Sequence, residues 1–264
     1  MITEDSCELI DALIKQGRSF ALWRVAGDDC IHFGMQTYGS PELLYDISDL
    51  NGRTGFVIAP FQISSKHPVV VIKPDCLDLP EDILESPQDM IEVLAHEAPV
   101  VLTEQEEKKQ YESAFCLFSR PLLKGTQDKL VLSRSKTVKR RRGLSPANSF
   151  FKACKRYIYS YVYLLHTPVT GTWMGSTPEV LLAGKGKDWQ TVALAGTQRL
   201  VDGKLPAKWD SKNCQEQQLV ASYIRRQLAA LNIHPDEKGP YSVRAGELSH
   251  LKSIFKFALP DTRM

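Results

Sequence analysis

Net charge is nearly absent from this chain of 264 residues: 33 Lys and Arg stand against 31 Asp and Glu, a formal balance of +2. No global field therefore draws it to nucleic acid or to an anionic membrane surface. Long apolar runs are missing too. Stretches such as Val69 to Ile72 fall far short of the roughly 20 residues that span a bilayer. The N-terminus, MITEDSCELIDALIKQG, is acidic and amphipathic, without the basic start and continuous apolar stretch of a signal peptide. Cys7, Cys30, Cys76, Cys116, Cys154 and Cys214 form no CxxC pair. A chain of this length needs no covalent staples, so reduced thiols and a cytoplasmic location are expected. No internal repeat or low-complexity segment is present.

What is present is an ordinary globular composition, 43% hydrophobic and 24% charged, enough for one or two domains with a sizeable core. Residues 1–17 predict a first helix, with Leu9, Ile10, Leu13 and Ile14 at helical spacing and Gly17 at its end. Strands are expected in SFALWRVAG, in TGFVIAPF (54–61) and in HPVVVIKP (67–74). The last carries four consecutive β-branched residues between prolines, the pattern of a buried strand. The Gly-, Ser- and Asp-rich stretch after SFALWRVAG reads as a loop, and the proline-broken residues 76–90 as a surface connection.

From Thr103 the pattern turns helical. Glu106 follows three residues later, a capping-box spacing, and Tyr111, Phe115 and Phe118 recur at helical intervals. A strand is expected over KLVLSRSKTV (129–138), then a basic loop, then a helix over FFKACKRYIYSYVYLL. Strands TGTWMG and WQTVALAG follow, the second after a GKGKD hairpin turn, and a further helix covers roughly residues 211–231. Such irregular alternation predicts a mixed α/β protein of α+β type rather than an all-parallel sheet.

Three residues stand out chemically. Lys129 leads an otherwise apolar strand, where it is either a solvated strand end or a desolvated general base. Glu179 follows Thr177 and Pro178, a plausible cap and first helical residue; it either favours a helix start through the dipole or serves as an acid. Glu216 lies one turn before Val220 in a stripe continuing through Tyr223, Ile224, Leu228 and Leu231. An acid in line with a buried stripe needs a partner, either a divalent cation or a basic side chain. The basic stretch SRSKTVKRRRG (133–143) has no interleaved aromatics and reads as a solvated loop, not a nucleic-acid site.

The blocks KLVLSR (129–134), WMGSTPEVLL (173–182), ALAGTQR (193–199), KNCQEQQLV (212–220) and LSHL (248–251) follow one another in that order. In this the chain resembles the chorismate-utilising enzymes, and is most similar to the isochorismate synthases. The resemblance implies a fold of largely antiparallel sheets flanked by helices. Residues 1–104 would form the N-terminal part and 105–264 the chorismate-binding domain, the latter incomplete at its C-terminal end.

It also implies a reaction. Magnesium ion, Mg2+, would be held in part by Glu216 and would bind the ring carboxylate of chorismate. Water would add at ring position 2, activated by Lys129 as base. The hydroxyl at position 4 would leave with a proton from Glu179 as acid. Ala195, Gly196 and Thr197 would lie against the substrate, with His250 beside the ring. Two positions favour water over an amine as nucleophile: Ala195 stands where aminodeoxychorismate synthases carry a nucleophilic lysine, and Lys129 is present where ammonia-using members usually lack one. No LLES-like tryptophan-inhibition motif is found near the N-terminus. The implied pathways are menaquinone or siderophore biosynthesis; salicylate synthase, an anthranilate-synthase-type enzyme and a non-catalytic fragment of the fold are the alternatives. The implied partner is a small molecule, chorismate, with a monomeric protein and neither nucleic acid nor membrane bound. Asn213 and Gln217 depart from the aspartate and histidine usual beside the metal-binding glutamate.

Overall fold

The computed structural model describes residues 2–80 and 100–259. It divides into two compact units, residues 1–94 with 145–264, and residues 95–144. Most of the expected connection over 76–90, and the last residues after Leu259, lie outside the described residues.

In the first unit, α1 (Cys7–Lys15) buries Ile10 and Leu13, and Gly17 closes it at a φ of +71° that favours glycine. Next come β1 (Ser19–Arg24) and β2 (Ile31–Gln36). The strand β2 occupies what the sequence suggested was loop. Gly34 in its centre explains the ambiguity: a Cβ there would stand 3.0 Å from Pro74 Cγ, so the position needs a residue without a side chain. A small sheet follows, β3 (Glu42–Leu44), β4 (Phe56–Ile58) and β5 (Val69–Ile72), in the order β3-β5-β4. The central β5 is fully buried, as its β-branched run predicts.

The helix expected over FFKACKRYIYSYVYLL divides in two. The helix α3 (Pro146–Arg156) is capped by Ser145 and gives way to β6 (Tyr161–Thr167). Arg24, buried in β1, fixes the break. Its guanidinium donates to the carbonyls of Tyr157 (2.7 Å), Ser160 (3.0 Å), Ile158 (3.1 Å) and Asp28 (3.2 Å), holding the connecting turn. The YVYLLHT segment then alternates with a period of two, burying Val162 and Leu164 on the helix side. With β7 (Gly171–Thr177), these strands form a sheet of order β2-β1-β6-β7. One face packs on α1 and α3 through Phe20, Leu22, Phe150 and Leu164, and the other meets the small sheet through Ala21, Leu165 and Ile72.

A third sheet has the order β10-β11-β9-β8, from β8 (Ala183–Lys185), β9 (Asp188–Arg199), β10 (Asp236–Ala245) and β11 (Leu248–Ala258). The helix α4 (Ser211–Ala230) packs across it, with Ala221 and Leu228 against Ala193 and Phe255. Every strand pair among the described residues is antiparallel. The architecture is therefore α+β, three antiparallel sheets flanked by helices.

The second unit is built on α2 (Glu104–Leu123), whose start is the expected box: Thr103 Oγ1 accepts from the Glu106 N–H, and the Glu106 carboxylate accepts from Thr103. The segment 129–138 forms no strand. Its alternating pattern marks an extended chain, but a strand also needs a neighbour to take its backbone hydrogen bonds, and the pattern cannot supply one. Part of the segment lies along α2 instead. The Arg134 guanidinium stands 6.0 Å from the Tyr111 ring centre, and Glu107 pairs with Arg134 and Lys136 at 3.9 Å each.

No described helix is long and apolar enough to cross a membrane. All six cysteines are free thiols.

Candidate active site

Four of the residues singled out in the sequence, Ala195, Gly196, Thr197 and His250, come together on β9 and β11. The strand β9 pairs with β11 as Leu251 opposite Ala195 and His250 opposite Thr197, so Gly196 is one residue too many. This is a β-bulge, and Gly196 takes the positive φ of +65° that such a bulge requires. Two constraints select glycine here: the backbone sign, and the Asn213 carbonyl oxygen, which a Cβ would approach to 3.0 Å.

The bulge has a consequence for side-chain direction. Before it, Ala193 and Ala195 belong to the face covered by α4. The inserted residue reverses the alternation, so Thr197 joins its partner His250 on the opposite face. Thr197 Oγ1 then lies 3.2 Å from His250 Nδ1. The same nitrogen lies 3.2 Å from the Gly196 carbonyl oxygen. A carbonyl only accepts, so Nδ1 carries the hydrogen, and in the neutral ring Nε2 is left as an acceptor.

The helix α4 fixes the bulge from the other side. Gln217, 1% exposed, accepts from the Ala195 N–H (2.9 Å) and donates to the Ala193 carbonyl and to Ser253 Oγ (3.2 Å each). One carboxamide thus serves a carbonyl and an amide two residues apart on one strand, as a peptide group of a neighbouring strand would. The pairing of β8 with β9 ends at Gln190, and α4 covers the stretch beyond. Asn213 continues the series. Its Oδ1 accepts from the Thr197 N–H (2.9 Å), and its Nδ2 donates to Asp210 (2.8 Å). Both tasks of Gln217 and both of Asn213 need a group that donates and accepts at once, which a carboxamide provides without charge.

Asp210 caps α4 and also accepts from Gln198. Hydrogen bonds from the Asn213 backbone and then its side chain hold the Asp210 carboxyl below its ordinary value of 3.8. A carboxyl depressed in the folded state stabilises it above the unfolded value, and that stabilisation is lost as pH falls through the folded value. Urea unfolding at pH 5 and pH 3 should therefore show a larger loss on acidification for the native chain than for Asp210→Asn, whose cap does not titrate.

Glu216 lies on α4 beside the buried positions, not among them. The buried line is Asn213, Gln217, Ala221 and Leu228, whereas Tyr223 and Leu231 are exposed. The expected stripe was thus displaced: polar Asn213 and Gln217 mark the inner face because they serve β9. The Glu216 side chain is 28% exposed and pairs with Lys212 at 2.9 Å. Its carboxylate raises the Lys212 ammonium above its ordinary value. Among the described residues, no three His, Cys, Asp or Glu side chains gather as a metal cluster. Among the described residues, the carboxylate that the sequence offers to Mg2+ is that of Glu216. That suits an ion usually held by one or two protein carboxylates, with water and substrate oxygens completing its shell.

Glu179 is exposed in the five-residue connection that carries the chain from β7 in one sheet to β8 in another. The expected helix start is not formed, because β7 runs on to Thr177 in its pairing with Tyr161. Thr177 Oγ1 accepts from the Glu179 N–H at 3.3 Å, a turn rather than a cap. Burial raises the hydroxyl of Tyr161, opposite Thr177, to about 12, so it stays a neutral phenol. Lys129 belongs to the second unit and is partly buried there.

Solved structures match at low identity, the following two among them. The menaquinone-specific isochorismate synthase MenF from Escherichia coli shares 15% identity at a TM-score of 0.59, over 96% of this chain and 68% of its own. DhbC from Bacillus anthracis, assigned as a 2,3-dihydroxybenzoate-specific isochorismate synthase, shares 14% at a TM-score of 0.62, over 97% of this chain and 72% of its own. At such identities these likenesses speak for the fold. No curated protein sequence matches the chain. The sequence model of the chorismate binding enzymes matches residues 56–262. With most of its length matched and its fold shared, the chain belongs to the chorismate binding enzyme family.

Proposed function

We propose that this chain is an isochorismate synthase, or the part of one that holds its chorismate site. The observation that carries the proposal is the Gly196 bulge, which turns Thr197 and His250 onto one face and joins them through a shared hydrogen-bond network. On this reading the substrate ring lies over that face, against Thr197 and the backbone of the bulge at Ala195 and Gly196. The imidazole of His250 presents Nε2 as an acceptor for a ring hydroxyl. Lys129 is the base that activates water, and Glu179 is the acid that protonates the departing hydroxyl.

Mg2+ is the cofactor on this reading, with Glu216 as a ligand once Lys212 yields its place. When bound, the ion supplies a fixed positive charge for an anionic substrate. The identity of the family and the likeness to two isochorismate synthases support the class of substrate; Ala195 and Lys129 favour water as nucleophile. We further assign the protein to the cytoplasm and to menaquinone or siderophore biosynthesis.

The test is incubation of the purified chain with chorismate and Mg2+, followed by chromatographic separation of products. Isochorismate is the expected product. Salicylate formed without an added lyase would replace the reading with salicylate synthase. Consumption that depends on ammonia would replace it with an aminating enzyme. No consumption at all would count against catalysis by this chain.

A further inference from the structure

The face of the third sheet turned away from α4 carries more than Thr197 and His250. Along β11, Ser249, Leu251 and Ser253 are buried toward α4, with Ser253 accepting from Gln217. The alternate residues His250, Lys252, Ile254 and Lys256 therefore share the other face. Lys252 is two residues from His250, a separation of roughly 6.6 Å along the strand. Across the sheet it stands between Leu194 and Tyr241.

The charge on this face is one-sided. Register places Arg199 opposite Leu248, Lys238 opposite Ile254, Asp236 opposite Lys256, Asp188 opposite Ala258 and Lys185 opposite Asp188, all on the side of His250. Five cations, with Lys252 and Lys256, thus meet two carboxylates: Asp236, which pairs with Lys238 at 3.9 Å, and Asp188, at the far end of the strand from His250. Lys252 is partly buried and makes no ion pair among the described residues. A lysine that is neither fully solvated nor paired is uncommon, because burial without a partner is costly. Its apolar neighbours Val192, Leu194 and Ile254 lower the local polarity and strengthen any ion pair it makes.

We propose that this face is a carboxylate-binding surface and that Lys252 is its anchoring cation, pairing with one of the carboxylates of the substrate. The inference rests on the reading of the substrate as chorismate, a dicarboxylate. It gives the site a charge-bearing contact beside Thr197 and His250, whose hydroxyl and imidazole address ring hydroxyls. Lys252 fixes which way the ring lies over the bulge and selects against analogues that lack the carboxylate.

The test is calorimetric titration of the full chain with chorismate in the presence of Mg2+, at two salt concentrations. Lys252→Met should weaken binding about tenfold or more, the loss expected for a charge-assisted contact, and should flatten the salt dependence. Lys252→Arg should stay within about threefold of the native chain, because the charge is kept. Lys256→Met, on the same face but four residues further along, should change affinity less than about twofold at this range. Native-like affinity for Lys252→Met in a folded chain overturns the proposal. So does an equal loss for Lys256→Met, which would point to a diffuse field. Should Lys252→Met not fold, Lys252→Gln is read in the same way. If the native chain binds no chorismate, both the functional reading and this contact fall; if it binds and only the Lys252 variants are silent, the contact alone falls.

Discussion

On the proposed reading, replacing Glu179 by Gln should lower the turnover of chorismate by about 10²–10⁴, the usual contribution of a positioned general acid. The substitution keeps the shape and the hydrogen-bonding reach of the side chain and removes only its transferable proton. The position is exposed, in a connection without helix or strand, so the fold has no stake in the charge. The loss should appear in kcat, with KM nearly unchanged, because the proposed acid would act on the departing hydroxyl and not on the bound carboxylates. Lys129→Ala should produce a loss of the same order, since water without its base is a poor nucleophile. One substitution removes the acceptor of the proton from water and the other the donor of the proton to the departing hydroxyl; both serve one addition-and-departure step, so the double variant should be far less than multiplicatively worse. Steady-state kinetics across a pH series measures both. Near-native turnover for Glu179→Gln would make that carboxylate an ordinary turn residue, and near-native turnover for Lys129→Ala would do the same for the lysine.

Gln217→Leu gives the largest expected loss of stability. Leucine matches the volume but leaves the Ala195 N–H and the Ala193 carbonyl without their partner in a buried position. Each backbone group stripped of its bond costs about 1–3 kcal/mol. At about 2–4 °C per kcal/mol for a chain of this size class, a fall of several degrees in Tm follows. Function should fall with it, because the bulge loses one of its two supports from α4 and Thr197 is no longer held toward His250. Gln217→Glu is the sharper variant. Burial should raise its carboxyl above the unfolded value, so the folded state is favoured below that value and loses stability as pH rises through the raised one. Calorimetric melting of Gln217→Glu should therefore show greater stability at pH 5 than at pH 8. An unchanged Tm for Gln217→Leu would contradict the account of this amide.

The sequence made some of this visible and hid the rest for physical reasons. The capping box of Thr103 and Glu106 and the β-branched run 69–72 were legible because each signal is local. The pattern of YVYLLHT was misread as helical because Phe150, Cys154, Tyr157, Tyr161 and Leu164 continue a helical spacing, although the tyrosines at 157, 159, 161 and 163 also keep the period of a strand. What separates them is Arg24, more than 130 residues away, whose bonds to the turn before Tyr161 are invisible in the local sequence. In the site, the ALAGTQR and LSHL blocks singled out residues that lie together on β9 and β11, but gave no sign of the bulge that brings Thr197 and His250 onto one face. Asn213 and Gln217 looked like lapses in a metal site. They are the side chains that complete the backbone pairing of β9. Hydrophobic spacing put Glu216 in the buried stripe because it assigned the inner face to apolar residues, and here two amides hold that place.

The central claim is that water adds at ring position 2 while the hydroxyl at position 4 departs, and it is tested most directly by running the reaction in oxygen-18 water. Reversible addition and loss predict isochorismate that carries one labelled oxygen at position 2, and recovered chorismate that gains label at position 4 as the reverse reaction proceeds. Mass spectrometry with fragment analysis reads both. Isochorismate formed without label would contradict the account, since its new hydroxyl would then have come from the substrate itself and not from solvent.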